Sequence, residues 1–157
     1  GQIKMFPVMP AIGGANNKFQ PVYVGDVAEA VARTLGNNDA YGKTYELGGP
    51  EVFAFKDLIK YTAAEVQSPR PLVWMPIVIA RLIGLAGDIQ AGLKGMVPVI
   101  PAPILTTDQV LLLANDNVVA KDARGLKDLG IAATAVESIV PTYLWRFRKN
   151  GQFAVTA

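Results

Sequence analysis

Val22 and Val24 flank Tyr23 at the two-residue period of a strand, and Val27, Ala30, Val31 and Thr34 then recur along one helical face. Between the two patterns stands Asp26, whose carboxylate is placed to accept from the free amides of a first helical turn. Residues 19–32 therefore read as strand, tight junction and helix. A second such unit follows: Thr44 to Leu47 as a strand, Gly48-Gly49-Pro50 as the break, and a helix over residues 55–66 with Leu58, Ile59, Thr62 and Val66 on its apolar face. Upstream, Pro7 and Pro10 with Gly13-Gly14 and Asn16-Asn17 make residues 6–18 a loop.

The downstream half is more apolar. Pro71 to Met75 reads as a short strand, and Pro76 suits the first turn of the next helix. From Leu72 to Leu105 only Arg81, Asp88 and Lys94 are charged; Ile77, Arg81, Gly84 and Asp88 share one stripe, while Val78, Ile79, Leu82, Ile83 and Leu85 fill the remaining circumference. That distribution predicts a core helix buried on most sides, with Met96 to Ile104, broken by Pro98, Pro101 and Pro103, as an extended wrap. The alternative is a hydrophobic surface for a partner subunit or a membrane face. The stretch is too interrupted for a transmembrane span. Thr106 with Gln109 predicts a capping box, and Thr134 with Glu137 a second one. The helix after Thr134 carries Val136, Ile139, Val140, Tyr143, Leu144 and Phe147 on one face, is kinked at Pro141 and stops at Gly151.

Composition narrows the chemistry. A hydrophobic fraction of 51% against 18% charged residues, over 157 residues, predicts one globular domain and argues against disorder. There is no Cys and no His, which removes disulfides, thiolate metal sites, Ser-His triads and imidazole bases. The net charge is +2, with basic residues scattered except for Arg146, Arg148 and Lys149. At the end of a helix these complement exposed carbonyls, so nucleic acid is not expected as a partner. The start, Gly1-Gln2-Ile3-Lys4-Met5, is not a signal peptide, and the lack of Cys fits a reducing compartment.

The two strand-helix units, followed by Asp116-Asn117-Val118-Val119, Leu129-Gly130-Ile131 and residues 135–148, resemble the C-terminal part of extended and atypical short-chain dehydrogenase/reductases, the NAD(P)-dependent epimerase/dehydratase group. Within it the sequence is similar to the branch containing the NADPH-binding accessory subunit of respiratory complex I and its bacterial relatives. The resemblance implies an α/β fold: the substrate-side, C-terminal part of a Rossmann-like fold, helix-rich with a few short strands and lacking the Gly-rich cofactor half. Residues 1–157 are expected to form one domain. Two family features are missing. No G-x-G-x-x-G turn occurs, and Gly84-Leu85-Ala86-Gly87 reads as helix packing; none of the five tyrosines has a Lys four residues on to lower its phenol pKa. Ala54 also replaces the Thr or Ser cap common in the group, at a cost of about 1 kcal/mol.

The resemblance places Phe19, Gln20, Pro21 and Tyr23 at a substrate cleft, with the 6–18 loop at its mouth, for shape and hydrogen bonding; the competing reading has Phe19 and Tyr23 packed and Gln20 in solvent. No catalytic, cofactor-binding or metal-ligating residue is assigned. NAD(P)(H) is expected for a full-length protein and not for this chain. Implied partners are the missing N-terminal half, respiratory-chain subunits or a membrane surface, and a second copy joined near Tyr45 or near Ile79 and Ile83. The expected location is cytoplasmic, with placement on the face of the inner membrane as its variant. One functional reading is an oxidoreductase-family part that turns over only with its cofactor half, within a complex I accessory-like protein or a nucleotide-sugar epimerase or dehydratase. The other is a non-catalytic assembly module.

Overall fold

The computed structural model describes residues 8–96 and 105–148. The fold is α/β, helix-rich with a few short strands, and its described residues divide into two compact units: 8–17, 54–56, 70–96 and 105–116 in the first, and 18–53, 57–69 and 117–148 in the second.

The first unit is built on β1 (Met9–Ile12), which runs parallel to β4 (Leu72–Met75) with Met9 opposite Leu72 and Ile12 opposite Met75. Residues 6–18 are thus not all loop. Pro10 is tolerated because donors facing β4 alternate: Met9 N donates to Pro71 O at 3.0 Å and Gly13 N to Met75 O at 2.9 Å, so the missing N–H of Pro10 falls on the unpaired parity. Gly13 (φ 59°) and Gly14 (φ 88°) then take left-handed conformations that turn the chain back. After Pro76, α3 (Ile77–Met96) packs on α4 (Thr107–Leu112), and Ile12, Ala80 and Val110 form the buried cluster, with Met75, Ile77, Leu105 and Leu113 against it. The predicted capping box at Thr106 and Gln109 is present.

The expectation of a core helix is overturned at α3. Its buried positions are the small ones, Ala80, Gly84 and Gly87, while Val78, Ile79, Leu82, Ile83, Leu85 and Ile89 are exposed. Close approach explains the inversion: a Cβ on Gly84 would lie 2.9 Å from Thr107 N, and Asp88 accepts from that same amide at 3.3 Å. Only a helix face without bulk admits a neighbouring backbone so near. Of the predicted wrap, residues 97–104 lie outside the described residues.

The second unit opens on β2 (Lys18–Phe19), which pairs with β3 (Phe53–Ala54), the strand at whose second residue the chain passes into 54–56 of the first, and Phe19 also bridges to Asn117. The predicted strand through Val24 shrinks to β2, because α1 (Val24–Thr34) already begins at Val24, with Tyr23 at its N-cap. The strand over residues 44–47 reduces to one bridge, Tyr45 with Arg124, supported by Glu46 N donating to Arg124 O at 2.8 Å. Helix α2 (Phe55–Glu65) matches its periodicity. Ala30, Leu126, Leu129 and Ile131 form the core, covered by Val22, Tyr45, Leu47 and Ala133. The last helix, α5 (Val136–Leu144), contains Pro141 and tightens into a 3-10 turn at Trp145–Phe147; Gly151, its predicted stop, lies outside the described residues.

Candidate functional site

Two helix starts in the second unit converge on a half-open groove of about 390 Å³. Pro21, Val22, Tyr23 and Val24 lead into α1 on one side; Thr134, Ala135 and Val136 lead into α5 on the other, with Ile139, Val140 and Tyr143 along the α5 face. Neither helix has a side-chain cap, which corrects two predicted devices. Asp26 sits in the first turn of α1, only 6% exposed, and instead of capping its own helix it accepts from Thr134 N at 2.7 Å and Thr134 Oγ1 at 2.8 Å. The hydroxyl expected to cap α5 is the one Asp26 binds. A buried carboxylate needs such donors, and two from one residue 108 positions away outweigh a local cap.

The ring of Tyr23 folds back over Gly25, where a Cβ would come within 2.3 Å of Tyr23 Cε1. Gly25 therefore sets the ring on the groove wall. Gln20 is turned elsewhere: its Nε2 donates to Gly49 O at 2.8 Å and its Oε1 accepts from Val119 N at 3.1 Å, clipping two segments together. The close approach requires Gly48 and Gly49, since a Cβ at Gly49 would lie 1.9 Å from Pro21 O. Of the four sequence-derived cleft residues, Pro21 and Tyr23 line the groove, Gln20 holds backbone behind it, and half-buried Phe19 lies in β2 and lines none of it. Sequence reasoning missed Ile139, Val140 and Tyr143 as lining; their signal was the apolar face of α5, which it assigned to packing.

Beyond the groove, half-buried Tyr61 on α2 has its phenol pKa raised above the ordinary 10.0, by burial first and then by Glu65, Glu137 and Tyr143. Arg148 donates to Glu65 O at 2.7 Å and pairs with Glu65 Oε2 at 3.2 Å, so it ties the last turn to α2 where the sequence suggested a cation facing its own helix end.

Chemically, the lining offers apolar side chains, two phenols and a hydroxyl already committed to Asp26. Among the described residues no carboxylate lines the groove and no metal-binding cluster of His, Cys, Asp or Glu occurs. Such a groove can hold an apolar group by shape and orient it with a phenol.

No family model matches the chain. Among curated proteins it is similar to "NADH dehydrogenase [ubiquinone] 1 alpha subcomplex subunit 9, mitochondrial" of Arabidopsis thaliana, 33% identical over 150 residues, covering 95% of this chain and 37% of that protein. The "NADH-ubiquinone oxidoreductase 40 kDa subunit, mitochondrial" of Neurospora crassa is 27% identical over 140 residues, 89% of this chain and 35% of its own length. The rat counterpart of the plant subunit is 33% identical over 139 residues, 85% of this chain and 33% of its own. The chain thus spans about a third of the length of the curated relatives it matches.

Proposed function

We propose, for a chain that belongs to the short-chain-dehydrogenase-like family of complex I accessory subunits, a non-catalytic role: this stretch docks and positions an NAD(P)-binding accessory-like protein on respiratory machinery. The observation that carries the reading is α3, whose large apolar residues face outward while its small ones are buried. Burying what remains exposed of Val78, Leu82, Leu85 and Ile89 against a partner would gain roughly 1–2 kcal/mol each before the costs of association. The groove supports the same reading, because its lining among the described residues is mostly apolar.

The relatives are named as mitochondrial proteins, and among the described residues no helix is long and apolar enough to cross a membrane. Attachment is therefore proposed to be peripheral, at the inner membrane. A substrate-binding part of a nucleotide-sugar epimerase or dehydratase fits less well, since among the described residues no cation lines the groove to balance the charge of a diphosphate.

The test is co-migration. A tagged protein carrying this stretch should run with complex I on native gels and lose that position with Leu82→Glu and Leu85→Glu, while calorimetric titration of the isolated chain with NADH or NADPH gives no saturable heat. Unchanged co-migration of the doubly substituted protein would remove α3 from the reading, and micromolar cofactor binding would return a catalytic one.

A further inference from the structure

The exposed face of α3 has a spacing of its own. Val78, Leu82, Leu85 and Ile89 follow one another at intervals of four, three and four, the seam of a two-stranded coiled coil, and they are 65%, 65%, 56% and 61% exposed. Ala80, Gly84 and Gly87, which face α4, fall at the positions opposite that seam. The buried face and the seam are therefore two sides of one helix, and packing on α4 leaves the seam uncovered.

The charges beside the seam say what covers it. Arg81 and Asp88 both immediately precede a seam residue, Leu82 and Ile89, so they flank it on the same side one heptad apart. Among the described residues Arg81 has no ion pair, and exposed Asp88 has no cation partner. A second α3 laid antiparallel, with Leu82 opposite Leu85 of the other copy and Val78 opposite its Ile89, brings Arg81 of each helix beside Asp88 of the other. A parallel pair sets no such contact. On the other flank the same register places bulky Ile79 near small Ala86 of the second helix. One operation thus satisfies the apolar layers, both charges and the size match, as a two-fold interface requires.

We infer that the free chain forms a two-fold homodimer through antiparallel pairing of α3. The inference uses the docking face of the preceding section, so docking on another protein requires the dimer to open, and self-association guards the face until then.

The experiment exchanges the charges. The parent chain at tens of micromolar should show a dimer mass by light scattering, and Arg81→Glu and Asp88→Arg should each give monomers, because each homodimer would then oppose like charges twice. An equimolar mixture of the two variants should return to a dimer mass, since the mixed pair restores both opposite-charge contacts. Asp88 also accepts from Thr107, so should Asp88→Arg fail to fold by circular dichroism, Arg81→Glu and Leu82→Glu carry the test; both are expected to be folded and monomeric. A monomeric parent, a dimer indifferent to Arg81→Glu, or two folded variants that stay monomeric when mixed would each overturn the inference. So would a monomeric parent that binds vesicles of anionic phospholipid through this face, which would assign it to a lipid surface. Co-migration with complex I is a separate readout, and its failure leaves the mass result standing.

Discussion

Thr134 gives both its backbone amide and its hydroxyl to the carboxylate of Asp26, at 2.7 and 2.8 Å, and so joins the starts of α1 and α5 at the foot of the groove. Asp26→Ala leaves a half-buried amide and hydroxyl without an acceptor and is expected to cost about 2–3 kcal/mol; Thr134→Val, which keeps the amide bond, about 1 kcal/mol. Urea midpoints with unchanged slopes check both. Equal losses in the two variants would mean that the amide contributes nothing.

At the clip behind the groove, Gly49→Ala would drive a methyl into Pro21 O, with backbone on both sides of the conflict and no side chain free to yield. The expected loss is about 3 kcal/mol. Gln20→Glu keeps the acceptor for Val119 N and removes the donor to Gly49 O, so about 1–2 kcal/mol should go. Thermal melts that leave either variant at the parent value would show that the clip is not structural.

Two glycines on α3 should respond with opposite signs. Gly84→Ala places a methyl 2.9 Å from Thr107 N and should destabilise by about 1–3 kcal/mol, whereas nothing lies within 4 Å of a Cβ at Gly92 and Gly92→Ala should stabilise by about 0.5–1 kcal/mol. Chemical denaturation of the pair measures the contrast. A gain in both would mean that α4 packs more loosely than the Gly84 contact requires.

Tyr61 gives the pH dependence. Burial, then Glu65, Glu137 and Tyr143, raise its folded pKa above 10.0, so the folded state holds the phenolic proton more tightly than the unfolded chain. The contribution is intact below about pH 10 and is lost as pH climbs through the folded value. Stability followed on the alkaline side should fall more steeply for the parent than for Tyr61→Phe; parallel profiles would contradict the assignment.

What could be read in advance was what depends on near neighbours. Helix α2, the Thr106 and Gln109 box and the strand before Pro76 rest on periodicity and capping within a few residues, and each is found. The misses share a cause. Asp26 and Thr134 both satisfy the local grammar of a cap, yet each finds a stronger partner in the other, far along the chain. Strand β1 looked like loop because its pairing is supplied by Leu72–Met75 and its proline sits on the silent parity. On α3 hydropathy showed that most sides are apolar but could not say which side is buried; that was decided by bulk, since only Ala80, Gly84 and Gly87 admit α4. The cleft residues divide the same way: Pro21 and Tyr23 reach the groove, while Gln20 is drawn off by two backbone groups far along the chain.

The two units interleave along the sequence, and that sets a timetable for synthesis. On a ribosome β1 emerges before β4 and stays without its ladder until Leu72–Met75 follows, and Ile12 has no complete cluster until Val110 is out. Asp26 waits longer still, for Thr134, as does Ala30 for Ile131. The segments of the two cores alternate along this stretch, so a nascent chain halted between Asp26 and Val110 holds two unfinished cores at once, with the apolar groups of both still open to solvent.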